Sequence, residues 1–401
     1  MSLSARIGPG LVIAATGLGA GDLIAASVAG ARFGYTLLWA ALLGAVLKFV
    51  LNEGLARWQL VTGLTLLEGW RRYLPAFVSW YFIVYLVVWT FVVAGALMAA
   101  CGLAVHALFP TIDVATAGIV QSIVATAFVL TGRYNLLEPV MKLFIVLMLA
   151  VVLYCAGLLF PGWGVLLSNI VAPTVPQGSV WFLFGVVGGV GGSVTLLSYG
   201  YWMREKGWKG REHLSTVRVD LFVAYAMTGV FAIAIMLISA GVEPDVMQGS
   251  QMVLSVAEHL GSVVGDTGKW LFLAGFWAAV FSSMLGVWQG IPYLFCDFVR
   301  RGKAKDGKKS MSEDPLYRGY LLAMASLPMS LLAFGKPVWL VMLYAVVGAM
   351  FMPLLASLLL YLNRSCWLGK NANGVLSVVM LLVALCLFAM LFVNKMVTVM
   401  P

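Results

Sequence analysis

Long apolar segments alternate with short polar or charged connections along the whole chain. Each segment approaches the length of about 20 apolar residues that a helix needs to cross the hydrocarbon of a bilayer. The boundaries therefore predict eleven membrane-spanning helices. The approximate spans are 7–31, 36–56, 77–105, 114–131, 139–160, 180–201, 219–241, 269–295, 318–334, 337–361 and 374–394.

The composition agrees with an integral membrane protein and excludes a soluble fold. Of 401 residues, 62% are hydrophobic and only 10% are charged, too few charges to cover a soluble surface. The net charge of +9 would suggest nucleic acid as a partner, but the basic residues concentrate in alternate loops. Under the positive-inside rule, this distribution predicts an inner-membrane protein with a cytoplasmic N-terminus and an outside C-terminus.

Glycine clusters interrupt the first and the sixth span. The first span contains the segment 16–22 with glycine at alternate positions, and the sixth contains 185–193 with five glycines. Each glycine costs a helix about 1 kcal/mol relative to alanine, so both clusters predict an unwound turn. Interrupted helices at matching positions in two halves are typical of inverted-repeat transporters with a site near the bilayer midplane. Close helix packing through small residues is the alternative explanation.

The pattern predicts one transmembrane domain over 1–401, with repeats at about 7–160 and 180–361 and an additional helix at 374–394. Asp22 follows the first glycine cluster, and a charge within a span predicts a role in binding or coupling, or else a cap on the second half-helix. The predicted substrate-binding residues are Thr16, Gly19, Ala20, Gly21, Asp22, Gly188, Gly191, Gly192, Ser193 and Thr195. Lys48, Asn52 and Glu53 lie near the cytoplasmic end of the second span, where we expect a local ion pair or snorkelling.

The spans do not indicate an enzyme. A catalytic site would need a second acid, a histidine or an activated nucleophile opposite Asp22, and the spans offer serines without a base. No cofactor or prosthetic group is expected. The expected partners are a small inorganic ion as substrate and the lipid bilayer, with no nucleic acid, and the sequence makes no prediction of oligomeric state.

Several short stretches resemble the Nramp family of divalent-metal transporters. They are Gly8-Pro9-Gly10, 29–35 (AGARFGY), 37–39 (LLW), 281–286 (FSSMLG) and 289–290 (QG). Each stretch is short, but their order and spacing follow the family over most of the chain. The resemblance implies an all-α LeuT-type fold of two inverted five-helix repeats plus an eleventh helix, working by alternating access.

The functional motifs of the family are altered. The family's Asp-Pro-Gly-Asn motif falls on residues 19–22, so that its aspartate position is Gly19 and its asparagine position is Asp22. The Met-Pro-His motif falls on residues 191–193, which places Gly191 at the methionine and Ser193 at the histidine. The third span, 77–105, lacks the family's acidic residues for proton movement. The resemblance therefore does not imply an ordinary proton-coupled Mn²⁺ or Fe²⁺ transporter.

Two substrate classes stay open. The preferred hypothesis is a small oxyanion such as bicarbonate, bound by free N–H groups of the unwound turns and by the hydroxyls of Ser193 and Thr195. Asp22 would then be the coupling residue that holds Na⁺ or H⁺. The alternative is a hard divalent cation of the Mg²⁺ type, less so Mn²⁺, which retains water and needs only the Asp22 carboxylate and the carbonyls of 17–20.

Overall fold

The computed structural model describes residues 7–131, 134–189, 191–243, 251–300 and 314–399. Its α-helices are α1 (Pro9–Gly17), α2 (Ala20–Phe33), α3 (Leu38–Thr62), α4 (Leu66–Tyr73), α5 (Ala76–Leu108), α6 (Val114–Thr131), α7 (Tyr134–Leu158), α8 (Trp163–Val171), α9 (Val180–Gly189), α10 (Tyr199–Glu205), α11 (Leu214–Ser239), α12 (Met252–Val264), α13 (Asp266–Arg300), α14 (Pro315–Ser326), α15 (Pro337–Ala349), α16 (Phe351–Leu362), α17 (Ser365–Leu368) and α18 (Val375–Val399). Turns of 3₁₀-helix cover Val194–Ser198, Arg211–His213, Leu327–Phe334 and Gly369–Asn371.

Every predicted span overlaps a helix or a pair of consecutive helices. Within the described residues, seven helices are long and apolar enough to cross a membrane, and the bent pair α1–α2 makes an eighth. The apolar parts of α6 and α18 are shorter than that criterion requires. The count of eleven spans, the two repeats and the orientation of the termini therefore stay predictions.

Helix α13 packs directly against the first interrupted helix. A side chain at Gly286 would overlap the hydroxyl of Thr16, so only glycine allows this approach. The hydroxyls of Ser282 and Ser283 donate to the carbonyls of Ala15 and Thr16, at 3.2 and 2.6 Å. These contacts fix the end of α1 against a long scaffold helix.

A buried carboxylate joins three helices where α1 begins. Asp220 of α11 accepts hydrogen bonds from the backbone N–H of Gly8 at 2.9 Å and of Gly10 at 2.6 Å. The hydroxyl of Tyr199, at the start of α10, donates to the same carboxylate at 2.8 Å. The first residues of α1 are thereby tied to both α10 and α11.

An ion-pair cluster lies on α3 at the same end of the molecule. Glu53 pairs with Arg57, one helical turn away, at 3.1 Å and with Arg218 of α11 at 2.9 Å. The local ion pair expected for Glu53 is confirmed. Arg57 also donates to the carbonyl of Ala372, which joins α3 to the connection before α18.

Candidate functional site

The first interrupted helix breaks within the predicted glycine cluster. Helix α1 ends at Gly17, α2 begins at Ala20, and the two axes differ by 47°. Gly19 occupies the N-cap position of α2 and offers no side chain to cap it. Asp22 lies in the first turn of α2, where a negative charge is favoured by the helix dipole, but it is not the N-cap.

The second break separates α9 from the 3₁₀ turn Val194–Ser198. Gly191 and Gly192 have φ values of +72° and +82°, in the left-handed region where side chains are strained. The backbone N–H of Gly191 donates to Oδ2 of Asp22 at 3.2 Å. Asp22 therefore bridges the two interrupted helices, and it uses a peptide donor that we expected an anionic substrate to meet.

The two unwound turns lie backbone to backbone. A side chain at Gly17 would come within 2.7 Å of the carbonyl carbon of Gly191 and 2.9 Å of the nitrogen of Gly192. One at Gly188 would come within 2.5 Å of Ala349. The glycines therefore serve close helix packing as well as unwinding, so both explanations offered for the sequence pattern apply.

The predicted site residues contribute in different ways. The hydroxyl of Thr16 donates to the carbonyl of Val12 in its own helix, so it offers no free donor. Gly19 packs on Ser283, and Gly21 faces the ring of Tyr344, where an added side chain would come within 3.1 Å of Cε1. Ala20 begins α2, and Asp22, Ser193 and Thr195 are each at most 2% exposed.

Lys48 corrects one expectation from the sequence. Its side chain is 0% exposed and does not snorkel toward the end of α3. The ammonium donates to the carbonyl oxygen of Gly188 at 2.9 Å and to that of Gly192. The second interrupted helix is thus held by an ammonium on its carbonyls and by a carboxylate on its Gly191 N–H.

Several buried polar atoms around the breaks have no hydrogen-bond partner in the described part of the chain. Among them are Oδ1 of Asp22, Oδ1 of Asn52, the hydroxyls of Ser193 and Thr195, and the indole N–H of Trp89. Asn52 is held by its amide, which donates to the Tyr225 hydroxyl at 2.9 Å. Buried polar groups are normally paired, so these atoms point to a ligand or to ordered water.

Trp89 is a site residue that the sequence patterns do not indicate. A side chain at Gly348 would lie 2.5 Å from the Ser193 hydroxyl and 3.5 Å from Nε1 of Trp89, which brings both groups to one place. The sequence offers no distinguishing signal, because Trp89 is one of 14 tryptophans and sits in an apolar span. Lys48 carried a signal, since it is a charged residue within a predicted span.

Metal ligands of the usual kind do not converge at the breaks. Across the described ranges, no group of three or more His, Cys, Asp or Glu side chains is placed to hold a metal ion. The unwound turns themselves carry no thioether and no imidazole, the ligands that favour transition metals. The groups available at the breaks are peptide groups, hydroxyls, the Asp22 carboxylate and the Lys48 ammonium.

A sequence profile described as "Natural resistance-associated macrophage protein-like" matches residues 10–398. The chain belongs to the Nramp family. The resemblance inferred from the sequence motifs is confirmed, and family membership makes the chain a multi-pass membrane transporter. A protein of Pasteurella multocida named "Uncharacterized protein PM0681" is 27% identical over 143 residues, which cover 35% of this chain and 33% of that relative. The match therefore spans about a third of its length.

Solved structures show the same fold. The manganese transporter of Eremococcus coleocola superposes with a TM-score of 0.75 at 15% identity, covering 97% of this chain and 85% of that one. Mhp1, a nucleobase-cation-symport-1 family transporter, gives 0.57 at 14% identity and 97% and 93% coverage. MhsT, solved in complex with L-phenylalanine, gives 0.53 at 16% identity and 96% and 97% coverage. At these identities the comparison shows the fold, and the predicted LeuT-type fold is confirmed.

Proposed function

We propose that this Nramp-family transporter carries a small inorganic ion by alternating access through a site between the two interrupted helices. The observation that carries the proposal is the hydrogen bond from the Gly191 N–H to buried Asp22, which joins one unwound turn to the other. Unwound backbone inside a bilayer is tolerated where it lines a substrate pathway. Movement of α1 and α10 against the remaining helices would open this contact to one side at a time.

The preferred substrate is a small oxyanion such as bicarbonate. The buried indole N–H of Trp89 is a donor only, so a ligand that pairs with it is an acceptor and not a metal ion. The Thr195 hydroxyl adds a second unpaired group at the break. When Asp22 is protonated and releases the Gly191 N–H, this peptide group becomes a third donor for the substrate. An oxyanion could accept from an indole N–H, a hydroxyl or a peptide N–H, whereas a cation could use only the hydroxyl.

Asp22 is the proposed coupling residue. Its carboxylate already occupies the Gly191 N–H, so it competes with an incoming anion for that donor. Protonation removes the competing charge and frees the peptide group. Coupling to H⁺ follows directly from this exchange, whereas coupling to Na⁺ would require Oδ1 of Asp22 as a ligand.

A hard divalent cation of the Mg²⁺ type is the second candidate, with Mn²⁺ after it. The unpaired oxygens Oδ1 of Asp22 and Oδ1 of Asn52 favour it, because both are oxygen acceptors of the kind such ions prefer. Membership of the Nramp family also favours a divalent cation. Under this alternative Asp22 is the metal ligand and the cation retains part of its water.

Transport into proteoliposomes separates the two candidates. Bicarbonate, Mg²⁺ and Mn²⁺ are offered singly, each with and without Na⁺ and pH gradients. We expect bicarbonate uptake that divalent ions do not alter and that an inward proton gradient accelerates. The variant Asp22→Asn should retain exchange of bicarbonate but lose its response to the gradient. Strong Mn²⁺ or Mg²⁺ uptake that Asp22→Ala abolishes would reject the oxyanion in favour of the cation.

A further inference from the structure

Lys48 lies where a transported cation would be expected to lie. It belongs to α3, outside both interrupted helices, and reaches across to the carbonyls of Gly188 and Gly192. Its side chain is completely buried, and it lies outside the stretches of this chain that resemble the family.

The carbonyls that Lys48 contacts are the ones that the break sets free. The last carbonyls of a helix lack partners within it, and the helix C-terminus carries a partial negative charge. In transporters with broken helices, such carbonyls coordinate the coupled cation. Here the Lys48 ammonium, which has three N–H donors, binds these carbonyls. Its positive charge is covalently attached to the protein and cannot dissociate as a bound ion could.

We infer that Lys48 is the resident cation of the site: its ammonium takes the carbonyl position in the second break, excludes Na⁺ and divalent metal ions from it, and makes the site selective for a small monovalent oxyanion. The inference rests on the proposed function, because it assigns a substrate charge to the same two breaks. With Lys48 on these carbonyls, Na⁺ is excluded as a coupling ion there, and H⁺ on Asp22 is the coupling ion that remains.

The charges of the site support this assignment. Asp22 and Lys48 contact the same unwound turn with groups of opposite charge. The Asp22 carboxylate accepts from the Gly191 N–H, and the Lys48 ammonium donates to the neighbouring carbonyls. In the absence of substrate, these two charges offset each other. Once Asp22 is protonated, Lys48 is left without its partner charge, and a monovalent anion restores neutrality. A divalent cation would instead add two positive charges beside a buried ammonium, which low-dielectric surroundings penalise.

The test compares the wild-type protein with Lys48→Met, which keeps the length of the side chain and removes its charge. Lys269→Met is the matched control, because Lys269 is also a lysine in a helix but pairs with Glu258 of α12, away from the breaks. Bicarbonate uptake is measured in proteoliposomes with and without Na⁺. Binding of Na⁺ and Mn²⁺ is measured by thermal shift and by the Mn²⁺ paramagnetic resonance signal.

We expect wild-type uptake to be indifferent to Na⁺, and the wild-type protein to bind neither cation. Lys48→Met should lose bicarbonate uptake by about thirtyfold or more, the size of loss seen when a buried charge is left without its partner. It should gain a thermal shift with Na⁺ or Mn²⁺, because the two carbonyls become available and bound ligand stabilises the folded state. Lys269→Met should behave as the wild type does.

Three results would overturn the inference: uptake by the wild-type protein that requires Na⁺, Mn²⁺ binding by the wild-type protein with Lys48 intact, or undiminished bicarbonate uptake by Lys48→Met. The first two need no variant, so they hold even if Lys48→Met does not fold. Failure of every ion to cross the membrane would instead refute the proposed function. The cation-binding comparison between wild type and Lys48→Met would still report on Lys48 in that case.

Discussion

The substitution Asp220→Asn should loosen the end of α1 and favour the conformation in which that end is open. Asp220 gathers the N–H groups of Gly8 and Gly10 and the hydroxyl of Tyr199. These donors come from the start of α1 and from α10, the two half-helices that move away from α11 in the proposed mechanism. The carboxylate therefore stabilises the closed arrangement through contacts that the open one lacks.

The size of the effect follows from the hydrogen bonds. Asparagine has one side-chain oxygen, so its amide nitrogen would face a donor in place of the second carboxylate oxygen. One bond to a charged acceptor is lost, worth about 1.5–3 kcal/mol, and the others become neutral. A net shift of about 2 kcal/mol changes the ratio of open to closed states by roughly thirtyfold, since 1.4 kcal/mol corresponds to a factor of ten.

The assay is the rate at which a membrane-impermeant thiol reagent modifies Ala15→Cys, a buried position on α1, from the side where α1 begins. The two exposed native cysteines, Cys366 and Cys386, are first replaced by serine. The modification rate should rise roughly thirtyfold in Asp220→Asn. Buried Cys101 of α5 reports global unfolding in the same sample. An unchanged rate at Ala15→Cys, or an equal rise at Cys101, would refute the reasoning.

Three further substitutions test the packing and the charges. Gly286→Ala places a methyl group on the Thr16 hydroxyl and should destabilise the protein by about 1–3 kcal/mol in thermal unfolding, whereas Gly319→Ala, with open space around it, should be neutral. Gly191→Ala forces a side chain into φ +72° and within 2.6 Å of the Tyr225 ring, at a cost of roughly 2–4 kcal/mol from strain and overpacking, and should slow transport in the same uptake assay. Glu53→Gln breaks two ion pairs, of which the one to Arg218 is half exposed, so the free energy of unfolding should fall by about 1–3 kcal/mol. Salt screens ion pairs, so a smaller loss of stability at low salt than at high salt would contradict an ionic contribution.

The helix breaks could be predicted from the sequence because glycine acts locally. Residues 17, 19 and 21 and residues 188–192 weaken one turn wherever the helix packs, so the breaks fall where the composition places them. Span boundaries follow from the same kind of local rule, since apolar length alone decides them. The helices α4, α8 and α12 lie in segments predicted only as connections, because they are too short for a span.

The contents of the site could not be predicted in the same way. Lys48 reaches Gly188, which is 140 positions away, and no pattern within α3 reveals that distance. The sequence rule that a charge near a helix end extends toward water favoured snorkelling, yet the two carbonyls of the break supplied a closer partner. The partner of Asp22, the N–H of Gly191, was unpredictable for the same reason.

The glycines that permit the two turns to touch also explain why the site relies on charge. Gly17 meets Gly191 and Gly192 at distances that leave no room for a side chain on Gly17, and a side chain on Gly191 would come within 2.6 Å of the ring of Tyr225. These positions therefore offer no soft side-chain ligand by which a transition metal could be selected. The site can select by charge, because one ammonium and one carboxylate hold the carbonyls and the N–H of the same turn. Under the proposed function, substrate displaces one member of this pair, and a proton on Asp22 is the smallest change that allows it.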